Sequence, residues 1–266
     1  MVFGKVIGGL LGLLIGGFFG LVLGAMVGHA FDRGLGKALR FASPENIARI
    51  KQSFFETTFL LSGYLAKADG RVSEAEIEHT EQLIAQMGLD AQQRQQAIDL
   101  FRRGSAADFL VKPVIAAFIE TCGPQRQLQK TLLLFLISLA HADQELSPPE
   151  HAALLRIAGL LGLAAGQLEQ LLRMAQAQDH FHHGGGAGVQ PGTSLDDAYA
   201  ALGVDIAIED KELKRAYRKL MSENHPDKLI AKGVPDNMVR MATERSQEIQ
   251  SAYEMIRKQR GLGKAS

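Results

Sequence analysis

Cysteine is scarce in this chain: Cys122 is the single thiol among 266 residues. One thiol excludes an intramolecular disulfide and any cysteine-based zinc cage, and it fits a reducing compartment, where such a residue serves as a small buried apolar group. Net charge is missing as well. Lys plus Arg and Asp plus Glu number 29 each, so no overall field draws the chain to nucleic acid or to acidic substrates, and any electrostatic function must be local. Charged side chains are absent altogether from Val6 to Gly28, a run of 23 positions.

That gap is the first positive signal. At about 1.5 Å per helical residue the run is long enough to cross a hydrocarbon layer of roughly 30 Å. It exceeds the apolar region of a secretory signal peptide, about 7–15 residues followed by a small-residue cleavage site. The spacing predicts a transmembrane helix over 6–30, preceded by a short N-terminus at 1–5. Lys5 precedes the span, whereas Arg33, Lys37, Arg40, Arg49 and Lys51 follow it. The positive-inside bias then places the N-terminus in the periplasm and the C-terminal bulk in the cytoplasm. Of 28 glycines, 11 fall within the first 36 residues, and Gly4, Gly8, Gly12, Gly16, Gly20, Gly24 and Gly28 recur at every fourth position. Such a stripe lets a second helix backbone approach closely in lipid, so the span is expected to pair into a homodimer.

From 44 to 178 apolar residues recur at helical spacing, which predicts an all-α domain. It contains an internal repeat. LAKADGRVSEAE (65–76) returns as LAHADQELSPPE (139–150) and MGL (87–89) as LGL (161–163), all at an offset of 74. Each copy runs from an apolar helix through an acidic turn into Ser73-x-x-Glu76 or Ser147-x-x-Glu150, the capping-box signature of a new helix. Pro148 and Pro149 suit a first helical turn, where a missing amide hydrogen is harmless. Asp69, Glu76, Asp143, Glu145 and Glu150 could also offer oxygen ligands to a metal. Their spacing does not match a calcium loop of the EF-hand kind, and capping explains the serine–glutamate pairs better. The repeat resembles the TerB-like helical domain, a family linked with tellurite resistance in which the acidic residues are associated with metal contact. Gln144 replaces Gly70 between the copies, so two equivalent metal sites are not implied.

Residues 179–193 change composition, and a flexible linker is expected there. His180, His182 and His183 could catch a transition metal, but on a tether without supporting groups the affinity would be incidental. A compact segment follows over 194–260. It offers a short helix at 195–202, a longer one at 209–224 and a third at about 235–258. In the second, Leu213, Ala216, Tyr217 and Leu220 share one face. Lys211, Lys214, Arg215 and Arg218 occupy the other, with Lys219 beside it, while Glu209, Asp210 and Glu212 complement the dipole at its start. Ile206, Ala207 and Ile208 provide no capping side chain, so the start of this helix is not fixed by sequence. Ile249, Ala252, Tyr253 and Ile256 give the third helix its apolar face, and the two long helices read as an antiparallel hairpin.

The second helix runs into SENHPDKLI (222–230). Pro226 cannot continue a helix and biases His225 away from helical torsions, so the helix is expected to stop there and a tight connection to begin. The turn presents His225, able to donate near the helix's negative end, and Asp227, able to accept from an arginine. Proline and aspartate are also common in plain turns, so the tripeptide alone is weak evidence.

Its surroundings strengthen it. LGV (202–204), KRAYRKL (214–220), HPDK (225–228) and QEIQSAYEMI (247–256) resemble, in order and spacing, the J domain of DnaJ-type cochaperones. The whole chain is similar to membrane-anchored DnaJ-like proteins of Gram-negative bacteria, with a glycine-rich span, a TerB-like middle and a C-terminal J domain. The resemblance implies a cochaperone at the inner membrane whose partner is a DnaK-type chaperone. Lys211, Lys214, Arg215, Arg218 and Lys219 would steer docking, and His225, Pro226 and Asp227 would trigger ATP hydrolysis in the partner. Tyr217, Leu220 and Tyr253 are expected in the core rather than in contact with it. No zinc-finger client domain is possible with one cysteine, and no cofactor is expected.

Three other readings compete. The TerB-like repeats could sense metal or stress, with the J domain as output; the glycine register could line an oligomeric pore; or His225 and Asp227 could act as acid and base. The last lacks a nucleophile or an enclosing pocket nearby, so the chain is read as non-enzymatic. For the glycine stripe, a reporter of membrane-helix association should give a strong signal for the wild-type span and a weaker one for Gly16→Leu. No signal from the wild type would contradict self-association.

Overall fold

The computed structural model describes Met26 and residues 43–68, 70, 88–123, 125–141, 146–182 and 195–261. Apart from Met26, the predicted span lies outside them, as do its glycine stripe, the charges flanking it up to Arg40, Ser73, Asp69, Glu76, Asp143, Glu145 and His183. Among the described residues the chain forms ten α-helices, one 3-10 turn and no strand, in agreement with the all-α expectation. No helix among them is long and apolar enough to cross a membrane. From Ile50 onward the chain forms one compact unit.

Six helices build the first half: α1 (Pro44–Ala66), α2 (Ala91–Gly104), α3 (Val111–Cys122), α4 (Arg126–His141), α5 (Pro148–Leu160) and α6 (Ala165–His182). Their apolar stripes meet around Phe54, which is fully buried between the rings of Phe118 at 6.0 Å and Phe135 at 5.8 Å. Leu61, Ile115, Leu128, Leu132, Leu136 and Ile137 complete the centre. Burying each such side chain contributes roughly 1.5–3 kcal/mol. Cys122 is buried here as expected, and desolvation pushes its thiol up to about 12.

The 74-residue offset extends to helix starts and turn torsions. Gly88 and Gly162 both hold positive φ, +68° and +76°, and α2 and α6 begin at Ala91 and Ala165. In both copies a glutamine reaches back to cap: Asp90 N donates to Gln93 Oε1 at 3.2 Å, and Ala164 N donates to Gln167 Oε1 at 3.0 Å. The second predicted capping box is present. Ser147 N donates to Glu150 Oε2 at 2.9 Å, Glu150 N donates to Ser147 Oγ at 3.4 Å, and Pro148 opens α5.

Where α1 crosses α2, two glycines let the backbones touch. A Cβ on Gly63 would lie 2.0 Å from Phe101 O, and one on Gly104 would lie 1.9 Å from Leu60 O. Buried Thr58 and Ser62 satisfy their hydroxyls on carbonyls four residues back, Phe54 O at 2.7 Å and Thr58 O at 2.8 Å.

The second half holds α7 (Leu195–Ala201), α8 (Asp210–Glu223), α9 (Pro226–Lys232), a 3-10 turn at Asp236–Met238 and α10 (Val239–Gln259). Helices α8 and α10 form the expected hairpin around Ala198, Leu202, Leu213, Ile249, Ala252 and Ile256. Two expectations need correcting. Helix α6 runs to His182, so 179–182 are helical rather than linker. Pro226 does not merely stop α8; it opens α9, because a proline at the first helical position gives up no hydrogen bond.

The glycine crossing yields a stability test. Replacing Gly63 or Gly104 with Ala forces backbone apart from backbone and should cost about 2 kcal/mol or more in urea titrations followed by circular dichroism. Gly159→Ala, on an exposed turn of α5 with nothing near its new methyl, should be neutral or stabilising by up to about 1 kcal/mol.

Candidate functional site

The site is built by the end of α8. Asn224 caps it: its N–H and its Nδ2 both donate to Leu220 O, at 3.0 and 2.9 Å. The Ser246 hydroxyl of α10 is shared between Ala242 O of its own helix at 2.9 Å and Asn224 O at 3.3 Å, which ties the turn to the hairpin. His225 is next, with extended torsions of φ −65° and ψ 126°, as a residue before proline must adopt. Its side chain is the N-cap of α9. Ring Nδ1 accepts the N–H of Asp227 at 3.2 Å. The sequence marked His225 as able to donate near the end of α8; the structure shows its Nδ1 used forward instead, as an acceptor, because the first orphan amide of α9 is within reach.

Asp227 sits in the first turn of α9 with its side chain 87 % exposed. Its carboxylate lies 3.9 Å from His225 Nδ1, but that nitrogen is already an acceptor, so the approach is not an ion pair while the ring stays neutral. No arginine reaches Asp227 among the described residues. Its acceptor oxygens face outward. Lys228 donates to Ser222 Oγ across the turn, bracing it from the side.

All five predicted basic residues of α8, Lys211, Lys214, Arg215, Arg218 and Lys219, are exposed, and none pairs with an acid among the described residues. Only Leu213 of this helix is fully buried. Tyr217, Leu220 and Tyr253, expected in the core, are half-buried and pack against it from its edge. The two tyrosine rings stack 4.0 Å apart and 5° from parallel. Burial first, then the Glu254 carboxylate and Tyr253, push the Tyr217 phenol above its ordinary range.

Sequence reasoning missed Arg260. One residue beyond α10, it donates from Nε to Tyr199 Oη at 2.7 Å, from Nη1 to Ile208 O at 2.8 Å and Asp210 Oδ1 at 2.7 Å, and from Nη2 to Ile206 O at 2.8 Å. Asp210 and then Tyr199 hold its guanidinium above the usual range. Glu209, the N-cap of α8, makes no side-chain cap bond. The start of α8 is fixed instead by Arg260, together with Asp205 Oδ1, which accepts from Ala207 N at 2.8 Å. The hint in the sequence was the uncapped Ile206–Ile208 stretch, which needed a partner from elsewhere.

Of the predicted metal ligands, only Glu150 falls among the described residues. It is committed to Ser147. Among the described residues no group of three or more His, Cys, Asp or Glu could hold a metal ion.

Loss of the Arg260 hook should free the loop before α8. In Arg260→Ala, hydrogen exchange of amides 206–210 should accelerate about tenfold or more, as expected when several charge-assisted bonds go, with α1–α5 unchanged. Equal acceleration throughout the chain would contradict a local role.

Comparison with known proteins finds matches to three regions of the chain. The family profile of tellurite resistance protein TerB matches residues 56–173, that of the DnaJ domain matches 197–260, and that of the co-chaperone DjlA transmembrane domain matches 1–38. Co-chaperone protein DjlA of Vibrio cholerae is 41% identical over 98% of this chain and 99% of its own length. That of Shewanella oneidensis is 41% identical over 98% of both chains, and that of Pasteurella multocida is 40% identical over 97% of this chain and 98% of its own. No solved structure matches. With three regions in the same order and similarity over nearly the full length, the chain belongs to the DjlA family of membrane co-chaperones with a J domain.

Proposed function

We propose that this protein stimulates the ATPase of a cytoplasmic DnaK-type chaperone from the inner membrane. The observation that carries the reading is the pairing of an open turn with an open basic face. His225 and Asp227 are exposed at the end of α8, and the five cations of that helix have no acid partner among the described residues. Lys211, Lys214, Arg215, Arg218 and Lys219 attract and orient an acidic surface of the partner; because they stand in water, their pull is felt over about 8 Å at physiological salt. His225, Pro226 and Asp227 then make the contact that alters the partner's catalytic state. ATP is hydrolysed on the chaperone, and this chain supplies only the surface that favours the hydrolysing conformation.

The match of residues 1–38 to a transmembrane-domain profile supports this placement. A single span with its basic flank on the C-terminal side leaves the helical domains in the cytoplasm. The seven-glycine stripe pairs two copies. Anchoring raises the local concentration of J domains at the membrane, so partner chaperones are activated where membrane-associated clients lie.

The test is a single-turnover ATPase assay of a DnaK-type chaperone with the full chain in lipid nanodiscs. Wild type should accelerate hydrolysis. His225→Gln should remove most of that acceleration while helical circular dichroism stays intact, and doubling the salt should weaken docking more for wild type than for a Lys214→Ala, Arg218→Ala double variant. A folded wild type that gives no acceleration would refute the reading.

A further inference from the structure

The J domain does not hang free in this chain. Helix α6 belongs to the TerB-like half by sequence and packs on α4 and α5, yet its other side packs on α7 and α10. Ala177 of α6 is 4% exposed and lies within the apolar cluster formed by α7, α8 and α10. One helix is therefore a wall of both cores.

The seam has polar and steric detail beyond apolar contact. Gln170 Nε2 donates to Gly203 O at 3.2 Å. Gly203 holds φ +63°, a left-handed conformation that favours glycine, and a Cβ there would lie 2.7 Å from Met174 Sδ, so any side chain at this turn would push the Met174 side chain aside. At a second point Lys51 of α1 reaches both carboxylate oxygens of Asp236 in the 3-10 turn, at 3.0 and 2.8 Å. Beside it, Asn237 Nδ2 donates to Gln93 Oε1 at 3.4 Å. An exposed ion pair of this kind adds little strength but selects an orientation. Two attachment points, one at α6 and one at Lys51, remove the rotation that a single contact would leave.

The open side of the J domain is the one the proposed function needs. Helix α8 packs on α10 and α9 and makes no comparable packing with α6, so its basic face and the His225–Asp227 turn are not part of the seam. We propose that the TerB-like half serves as the seat on which the J domain works: it holds the domain in one orientation, and the chaperone engages that docked form without the domain leaving α6. The part of this concerning the chaperone rests on the reading of function above; the seam itself does not.

The test uses the full chain in nanodiscs with Lys51→Cys and Asp236→Cys, bridged by a short bismaleimide. Native Cys122 does not compete, since it is fully buried and its thiol is pushed up to about 12. Intact mass gives the fraction bridged, and single-turnover hydrolysis gives the activity. Nearly complete bridging is expected, falling several-fold when Ala177→Glu is added to place a charge in the seam. Bridged protein should stimulate the chaperone to within about twofold of the unbridged protein. Poor bridging, or bridging indifferent to Ala177→Glu, would show that the seam does not persist in solution. Efficient bridging that abolishes stimulation would overturn the proposal the other way, making the seam an inhibitory contact. Should the unbridged chain itself fail to stimulate, the reading of function fails, while the bridging yield still judges the seam.

Discussion

The pyrrolidine ring of Pro226 fixes one torsion and removes one hydrogen-bond donor, and much of the C-terminal half follows from that. With no N–H at 226 and the residue before it barred from helical torsions, α8 has to close at Asn224 and a new helix can open at once. His225 falls between the two helices, where the nearest unsatisfied donor is the amide of Asp227, so its ring nitrogen becomes a cap. That use of the ring leaves the Asp227 carboxylate without a donor among the described residues and exposed to water. The same proline thus ends the basic helix, directs the histidine and exposes the aspartate. A residue with ordinary torsions at 226 could let α8 continue and would scatter all three.

A short turn can be this ordered only if the helices beneath it are held. The stacked Tyr217 and Tyr253 rings and the Ser246 bond to Asn224 fasten α8 to α10 near its end. Arg260 does the same at its beginning, gathering Tyr199, Ile206, Ile208 and Asp210 with one planar group. Guanidinium suits the task because its donors diverge in a rigid fork and it stays charged throughout the working pH range. Helix α8 is pinned at both ends by α10 and left bare along its outer face.

Periodic elements were legible in the sequence because periodicity is a local property. The helices of both halves, the 74-residue repeat, the Ser147–Glu150 box and the exposed cations of α8 all follow from residues a few positions apart. Three features were not legible, each for the same reason. Arg260 caps a segment some fifty residues earlier, and nothing near it in sequence announces that. The direction of the His225 ring depended on α9, a seven-residue helix that looked like a connection because DKLIAK is too short to show a period. The extension of α6 to His182 ran against composition: glutamine and histidine resemble a linker, but tertiary packing of Met174 and Ala177 carries the helix past the point where its own pattern fades.

The central claim is that the bare face of α8 and the adjoining turn meet the chaperone while α7 and α6 stay together. Hydrogen exchange of the full chain in nanodiscs, with and without an ATP-bound DnaK-type chaperone, addresses it most directly. The account predicts new protection confined to 211–219 and 225–232, with the amides of 195–203 unchanged. Protection centred on the TerB-like helices, or loss of protection at 195–203 on binding, would contradict it.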